Sequence, residues 1–268
     1  MTRWQPSPFL RLCLVLHLLA LGLFVARPAL WPWLIGALIA LHAVIASAGL
    51  LPRCRLLGRN LTRLPAAAIA RGEIALTLDD GPDPEVTPQV LAILRRYGAR
   101  ATFFCIGDQA ARYPELCRQM VQEGHAIENH GQRHRTFTAF NGLAGWRREI
   151  GEGQATLEAL TGQRPRFYRA VAGLRNPFLD PCLHRAGLFL ASWTRRGYDT
   201  RDKNPKAVYA KLARHLRAGD ILLLHDGNAA RDLNGQPVIL DVLPRILDTL
   251  AERQLKPVTL RQAYEDRP

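Results

Sequence analysis

The chain opens with two apolar runs that almost touch. Residues 12–26, LCLVLHLLALGLFVA, stop at Arg27-Pro28, and residues 29–51, ALWPWLIGALIALHAVIASAGLL, run for 23 positions without a formal charge. At ~1.5 Å per helical residue the second run reaches roughly 34 Å, enough to cross a hydrocarbon core. The first is short, although Phe9 and Leu10 extend it if Arg11 snorkels. Trp31 and Trp33 stand at one end of the second, where indole rings favour the membrane interface. No clear A-x-A site follows the first run and the second reads as a stop-transfer segment, so a cleavable signal peptide is the weaker reading. The pattern predicts an anchor over 1–51 made of two antiparallel membrane helices, about 9–26 and 29–51, followed by a basic, irregular linker over 52–71. His17 and His42, inside the runs, read as packed side chains rather than a relay.

From residue 72 the pattern changes. Short apolar runs at 74–78, 102–106, 126–128, 167–171, 188–193, 221–224 and 257–260 alternate with amphipathic segments, which is the pattern of a βα repeat. Thr87-Pro88, Asn176-Pro177 and Asn204-Pro205 each offer an N-cap followed by a first-turn proline. Val90, Ile93, Leu94 and Tyr97 share one helical face, and Ile239, Val242, Leu243, Ile246 and Leu250 form another apolar stripe. Seven strands with intervening helices imply an α/β domain over 72–268, either a doubly wound sheet or a barrel. In both, chemistry sits at the C-terminal strand ends.

Composition bounds the partners. A length of 268 residues admits one single-core domain and an appendage. Of the net charge of +13, residues 1–72 contribute eight arginines and no Asp, Glu or Lys, which leaves +5 for the rest. These arginines flank apolar runs instead of clustering with Lys and aromatic residues, which argues against nucleic acid as a partner. Arg3 and Arg11 precede the first run, Arg27 alone separates the two, and Arg53, Arg55, Arg59 and Arg63 follow the second. By the positive-inside rule the expectation is a protein integral to the inner (cytoplasmic) membrane, with the domain over 72–268 on the cytoplasmic side. Five cysteines (Cys13, Cys54, Cys105, Cys117, Cys182) make neither a C-x-x-C pair nor an even framework, and read as reduced structural thiols.

Polar signals collect at the predicted strand ends. TLDDGP, residues 77–82, places Asp79 and Asp80 after the first strand, where a plain turn is the competing reading. NHGQRH, residues 129–134, spaces His130 and His134 four apart, so that on a helical turn they share one side and can share a metal. One Asp with two His makes a facial set of three ligands with open positions, as zinc or another borderline divalent ion requires. The neighbouring Asp is then free to act as a base. ILLLHDG, residues 221–227, delivers His225 to the same edge as a second titratable group for leaving-group protonation. His125, His184 and His215 lie outside these motifs and read as surface or packing residues.

In this order the motifs resemble those of the polysaccharide deacetylase family, also called the NodB homology domain or carbohydrate esterase family 4, across roughly residues 72–265. TLDDGP is similar to its T-F-D-D-G-P motif, NHGQRH to H-[ST]-x-x-H, RAVAG at 169–173 to R-x-P-x-G, and LLLHD to L-x-H, while SWTRRGYDT at 192–200 falls where the Asp/Trp-rich fourth motif belongs. The resemblance implies a distorted (β/α) barrel of seven or eight strands, here preceded by a transmembrane helical hairpin. It implies a hydrolase acting on carbon–nitrogen, non-peptide amide bonds with a divalent metal ion, zinc first among the transition metals. Asp80, His130 and His134 would hold the metal, and Asp79 would take a proton from the attacking water. His225 would protonate the departing amine, Arg169 would orient Asp79, and Asp199 would hold His225 charged. A backbone N–H near Ala172 would donate to the oxyanion, and Leu223 would line the acyl pocket.

Four positions depart from the pattern. Gly131 replaces a Ser/Thr, removing a hydroxyl that braces the loop; Val171 replaces a proline; Arg196 stands at an Asp position; and Thr200 replaces a tryptophan. These alter pocket walls and rim. Arg169, Arg175, Arg195, Arg196 and Arg201 near the third and fourth motifs make either a solvated basic rim or a phosphate-recognising mouth. The expected function is removal of an N-acyl group, acetyl first, from an amino-sugar-containing substrate. Cytoplasmic topology points to a carbohydrate substrate that is a lipid-linked or nucleotide-linked amino sugar, of which a membrane hairpin would hold the lipid-linked one close, with membrane lipids as the other partner. The alternatives are a peptidoglycan or exopolysaccharide deacetylase facing outward, a non-catalytic carbohydrate-binding module, and a metal-free structural membrane protein.

Overall fold

In the computed structural model, which describes residues 3–265, the apolar runs form helices α1 (Pro8–Ala26) and α2 (Trp31–Leu50), joined by a 3-10 turn at Pro28–Leu30. The first two residues of the expected anchor and the last three of the expected domain lie outside the described residues. Little of either helix is buried, so neither is a core helix. They pack against each other, with the His17 and His42 rings edge to face at 5.1 Å. Each ring Nδ1 donates to the carbonyl four residues back, of Cys13 and Leu38 respectively. Both ends of the hairpin sit on the rest of the chain: Trp4 donates its indole N–H to Asp180 at 2.8 Å, and the Arg175 N–H donates to Gly49 O at 3.1 Å.

The remainder is one parallel sheet, curled but open. Its strands are β1 (Glu73–Asp79), β2 (Thr102–Cys105), β3 (Ala126–Asn129), β4 (Phe167–Tyr168), β5 (Phe189–Leu190), β6 (Arg195–Arg196), β7 (Ile221–His225) and β8 (Lys256–Val258). The order is β5-β4-β3-β2-β1-β7-β6, with β8 added to the first half of β1. The connections carry α3 (Ala66–Ala70), α4 (Thr87–Arg96), α5 (Gly107–Arg112), α6 (Pro114–Gln122), α7 (Leu143–Thr161), α8 (Leu179–Ala186), α9 (Pro205–Ala213), α10 (Val238–Glu252) and α11 (Leu260–Tyr264).

Two predicted strands shrink to two residues each, and β6 was unforeseen because Arg195-Arg196 carries no apolar signal. At 169–171 the backbone leaves the sheet for a 3-10 turn, and after β5 the carbonyls of Ala191 and Ser192 turn to Arg169. The last strand stops at Val258, because Thr259 caps α11 in a capping box with Gln262. Asn204 caps α9 as expected. Thr87 and Asn176 do not cap: Thr87 is already inside α4, and Asn176 braces a loop instead.

Burial explains the site's position. β1 is buried on both faces, as a strand in a covered parallel sheet must be. Ile74, Leu76 and Leu78 face the helical layer with Val90, Leu94, Val242 and Ile246, each such buried aliphatic side chain contributing roughly 1.5–3 kcal/mol. The alternate set, Ala75, Thr77 and Asp79, faces the inside of the curl, where Ala75 packs with Phe104, Phe167, Ile221 and Leu223. Segment 52–71, expected as a linker, is built into the wall: Leu57 and Leu64 are buried and Leu61 bridges to Ala191. All five cysteines are free thiols and four are buried.

Candidate active site

The inward set on β1 ends in Asp79, and Arg169 comes from the end of β4 to meet it. Arg169 is 1% exposed, its guanidinium stacked on Phe104 at 4.0 Å. One nitrogen donates to both Asp79 Oδ1 and Thr77 Oγ1 at 2.7 Å, and the others reach the carbonyls of Ala191 and Ser192. Four of the five guanidinium N–H groups thus have acceptors, which is what permits a buried charge. Asp79 is thereby held by one oxygen, while Oδ2 faces His130 Nε2 at 3.8 Å.

Asp80 turns the other way. Its left-handed φ of 72° breaks the strand's alternation and brings Oδ1 to 3.2 Å from His130 Nε2 and 3.0 Å from His134 Nε2. The two histidines are not on a helical turn, contrary to the spacing argument: Gly131 (φ 88°) and His134 (φ 52°) are left-handed in a loop. Left-handed backbone at non-glycine residues costs about 1–3 kcal/mol each and has to be held by its surroundings. Glu149 of α7 does part of this, accepting the backbone N–H groups of Arg133 (2.7 Å) and His134 (3.0 Å) through one oxygen. Asn129 Oδ1 takes the Gly131 N–H at 2.7 Å. A Cβ at Gly131 would lie 2.7 Å from that Glu149 oxygen, so the carboxylate occupies the space of the absent hydroxyl's side chain and does its bracing. The Asn228 side-chain amide donates a hydrogen bond to Asp80 Oδ2 at 3.1 Å.

Asp80, His130 and His134 are a candidate metal site, with ligand atoms all within 4.8 Å of one another. His130 Nδ1 lies 2.8 Å from the carbonyl oxygen of Arg169, which can only accept, so Nδ1 carries a proton and Nε2, facing the Asp80 carboxylate, is the nitrogen that could give a lone pair to a metal. Two electron-rich atoms at that distance fit a cation between them. Burial opposes charge on His130, but Asp79 and Asp80 outweigh it and hold the imidazole above its ordinary value. Burial likewise opposes charge on Asp80, and the two histidines overcome it to hold the carboxyl far below its usual range.

Across the curl, His225 ends β7 opposite Asp79 in register. Asp199 grips it twice, accepting the ring Nδ1–H and the backbone N–H, both at 2.8 Å. Burial pulls the His225 value down, and Asp199, with help from Asp79 and Asp80, raises it above the ordinary imidazole value. Beside it, Asp226 is wholly buried; burial pushes its carboxyl up to about 7, against the Thr87 hydroxyl that donates to it at 2.6 Å. Since Thr87 also accepts the Asp83 N–H, this pair pins the turn after TLDDGP.

A cavity of about 300 Å³ gathers Asp79, Asp80, His130, His134, Ala172, Leu223 and His225, with Arg196, Arg201 and Asn228 at its rim. Arg169 and Asp199 stand behind it. Ala172 is left-handed at φ 52°, and Leu223 is buried at the cavity floor. Only two of the five nearby arginines border the cavity without being committed to Asp79. Arg175 donates to the Cys54 carbonyl, and Arg195 pairs with Asp220 at 2.6 Å, so neither belongs to the mouth. Glu149, Asn129, Asn228 and Asp226 were not singled out in the sequence, because Glu149 and Asn129 act on backbone N–H groups, Asn228 on the Asp80 carboxylate and Asp226 on the Thr87 hydroxyl.

A curled parallel sheet with a carboxylate–imidazole cluster on its C-terminal edge is an α/β domain with a candidate hydrolytic centre. The profile described as polysaccharide deacetylase matches residues 68–189. A peptidoglycan-N-acetylglucosamine deacetylase of Bacillus cereus is 33% identical over 70% of this chain and 86% of its own length. A chitooligosaccharide deacetylase of Sinorhizobium fredii is 30% identical over 72% and 92%. Among solved structures, a family 4 carbohydrate esterase from Streptomyces lividans, in complex with acetate, superposes with a TM-score of 0.62 at 32% identity, covering 69% of this chain and 91% of that one. The chain belongs to the polysaccharide deacetylase family, and it is a hydrolase of amide bonds.

Proposed function

We propose that the protein removes an N-acyl group, acetyl first, from an amino sugar carried on a lipid, at the surface of the membrane that holds α1 and α2. The observation that carries the chemistry is the pairing of a base held by one oxygen with a cation-seeking triad: Asp79 on Arg169, beside Asp80, His130 and His134. A divalent metal, zinc first, supplies Lewis acidity toward water and the amide carbonyl when bound by that triad. Asp79 Oδ2 takes the proton of the attacking water, and Arg169 keeps that oxygen aimed. The Ala172 backbone faces the developing oxyanion, and Leu223 contacts the acyl group. His225 delivers a proton to the nitrogen as the C–N bond breaks, leaving carboxylate and free amine, and Asp199 keeps it charged until then.

The lipid carrier is supported by where the hairpin ends. Gly173 packs against Pro52, and Ser192 donates to the Pro52 carbonyl at 2.7 Å, so the wall of the cavity rests on the exit of α2. Arg196 and Arg201 at the rim suit a phosphate on the substrate. The B. cereus relative favours a second reading, in which the domain faces outward and acts on peptidoglycan. Membranes containing the full chain should release acetate from a lipid-linked N-acetyl amino sugar. Asp79→Asn should keep its metal and lose ~10²–10⁴-fold in turnover. Near-normal turnover would remove Asp79 as the base, and a periplasmic signal from a reporter at residue 268 would favour the peptidoglycan reading.

A further inference from the structure

Three residues beyond His134 the chain leaves the cavity and exposes two phenylalanines. Phe137 and Phe140 are 74% and 83% exposed, with ring centroids 6.4 Å apart. Their loop is tied to the apolar hairpin: Asn176 donates to the carbonyls of Ala139 and Asn141, on either side of Phe140, and its neighbour Arg175 donates its N–H to Gly49 O in the last turn of α2. The loop that carries the exposed apolar patch is therefore linked, through Asn176 and Arg175, to the last turn of α2. A cavity of about 570 Å³ beside Phe137 is lined by Arg133, Arg135 and Arg148. Arg133 pairs with Glu152 at 2.9 Å, whereas the guanidinium groups of Arg135 and Arg148 have no ion pair or hydrogen bond among the described residues.

Rings backed by unpaired guanidinium groups match a bilayer carrying anionic headgroups: the rings enter the acyl boundary and the cations meet phosphates. We infer that Phe137 and Phe140 form a second membrane contact, with Arg135 and Arg148 on anionic lipid phosphates. This lays the second-motif side of the catalytic domain on the membrane. The inference rests on reading α1 and α2 as membrane helices. The test uses the full chain, with Cys54→Ser to silence the half-buried native thiol, in phosphatidylcholine–phosphatidylglycerol vesicles whose lipids are brominated high on the acyl chains. A bimane attached through Phe140→Cys should be quenched at least about twofold more than one attached through Leu233→Cys, a position 99% exposed on another loop. Arg135→Gln with Arg148→Gln should reduce that quenching. Equal quenching at 140 and 233, with a bimane through Leu18→Cys on α1 quenched, would overturn the patch and leave the membrane hairpin standing. An unquenched label at Leu18 would sink the hairpin and the patch together. Quenching at 140 that ignores the two arginine changes would overturn the role given to anionic lipid.

Discussion

His130 and His225 sit at the ends of two strands, both almost sealed from solvent and both with Nδ1 committed, yet they face the cavity with opposite chemistry. Behind His130 is a peptide carbonyl at 2.8 Å, which fixes the tautomer without adding a full charge. Behind His225 is the Asp199 carboxylate at 2.8 Å, which stabilises the imidazolium. Both values are raised, His130 by the carboxylates in front of it and His225 chiefly by the one behind it, so a metal held by Asp80 would take the place of the proton at His130 Nε2 while His225 keeps its own. Two identical side chains can thus serve as a ligand and an acid within one cavity of about 300 Å³.

The contrast breaks most severely on the ligand side. His130→Ala should lose bound metal on dialysis and at least ~10³-fold in turnover. Elemental analysis beside the wild type is decisive, since equal metal in both would take His130 out of the ligand set. On the acid side the effect is smaller and depends on pH. Because the folded value of His225 is raised, an acid step at this residue persists above the ordinary imidazole range and fails as pH climbs through the folded value. The same charge adds stability that is fully present below the unfolded value and disappears as pH rises through the folded one. Asp199→Asn removes the principal raising influence, so the alkaline limb of the rate profile should move to lower pH, with turnover at neutral pH down roughly tenfold to hundredfold and metal retained. An unmoved limb would separate His225 from the proton transfer.

The smallest effect sharpens the comparison. Glu149→Ala leaves two N–H groups of the 131–134 loop without their acceptor and should cost about 1–2 kcal/mol, a fall of a few degrees in Tm. Glu149→Gln keeps an oxygen in place and should stay near the wild type. If both variants melt alike and far below the wild type, the charge of Glu149 matters more than its geometry.

Much of the candidate site's placement was legible in the sequence because its polar residues sit at strand ends. Asp79, Asp80 and His225 each follow an apolar run, and family order ties them to His130, His134 and Arg169. What stayed hidden was what works through the backbone. Glu149 looks like one more acidic residue on an amphipathic helix, and nothing in REIGEG says that its carboxylate braces a loop 15 residues away. The helical turn assumed for His130 and His134 failed for a related reason, since a four-residue spacing is equally compatible with a loop held left-handed from outside. The arginine cluster dissolved because proximity in sequence is not proximity in space: Arg195 points to Asp220 and Arg175 to Cys54.

A Cβ on Gly49 would fall 2.2 Å from the Arg175 carbonyl oxygen, and one on Gly173 would fall 2.4 Å from the Pro52 side chain. With no slack at this seam, the catalytic half is not an interchangeable cassette on a tether. Whatever tilts or lengthens the hairpin pulls directly on the loop that carries Ala172, and an anchor borrowed from another protein would have to reproduce glycine at the seam before the loop could take its shape.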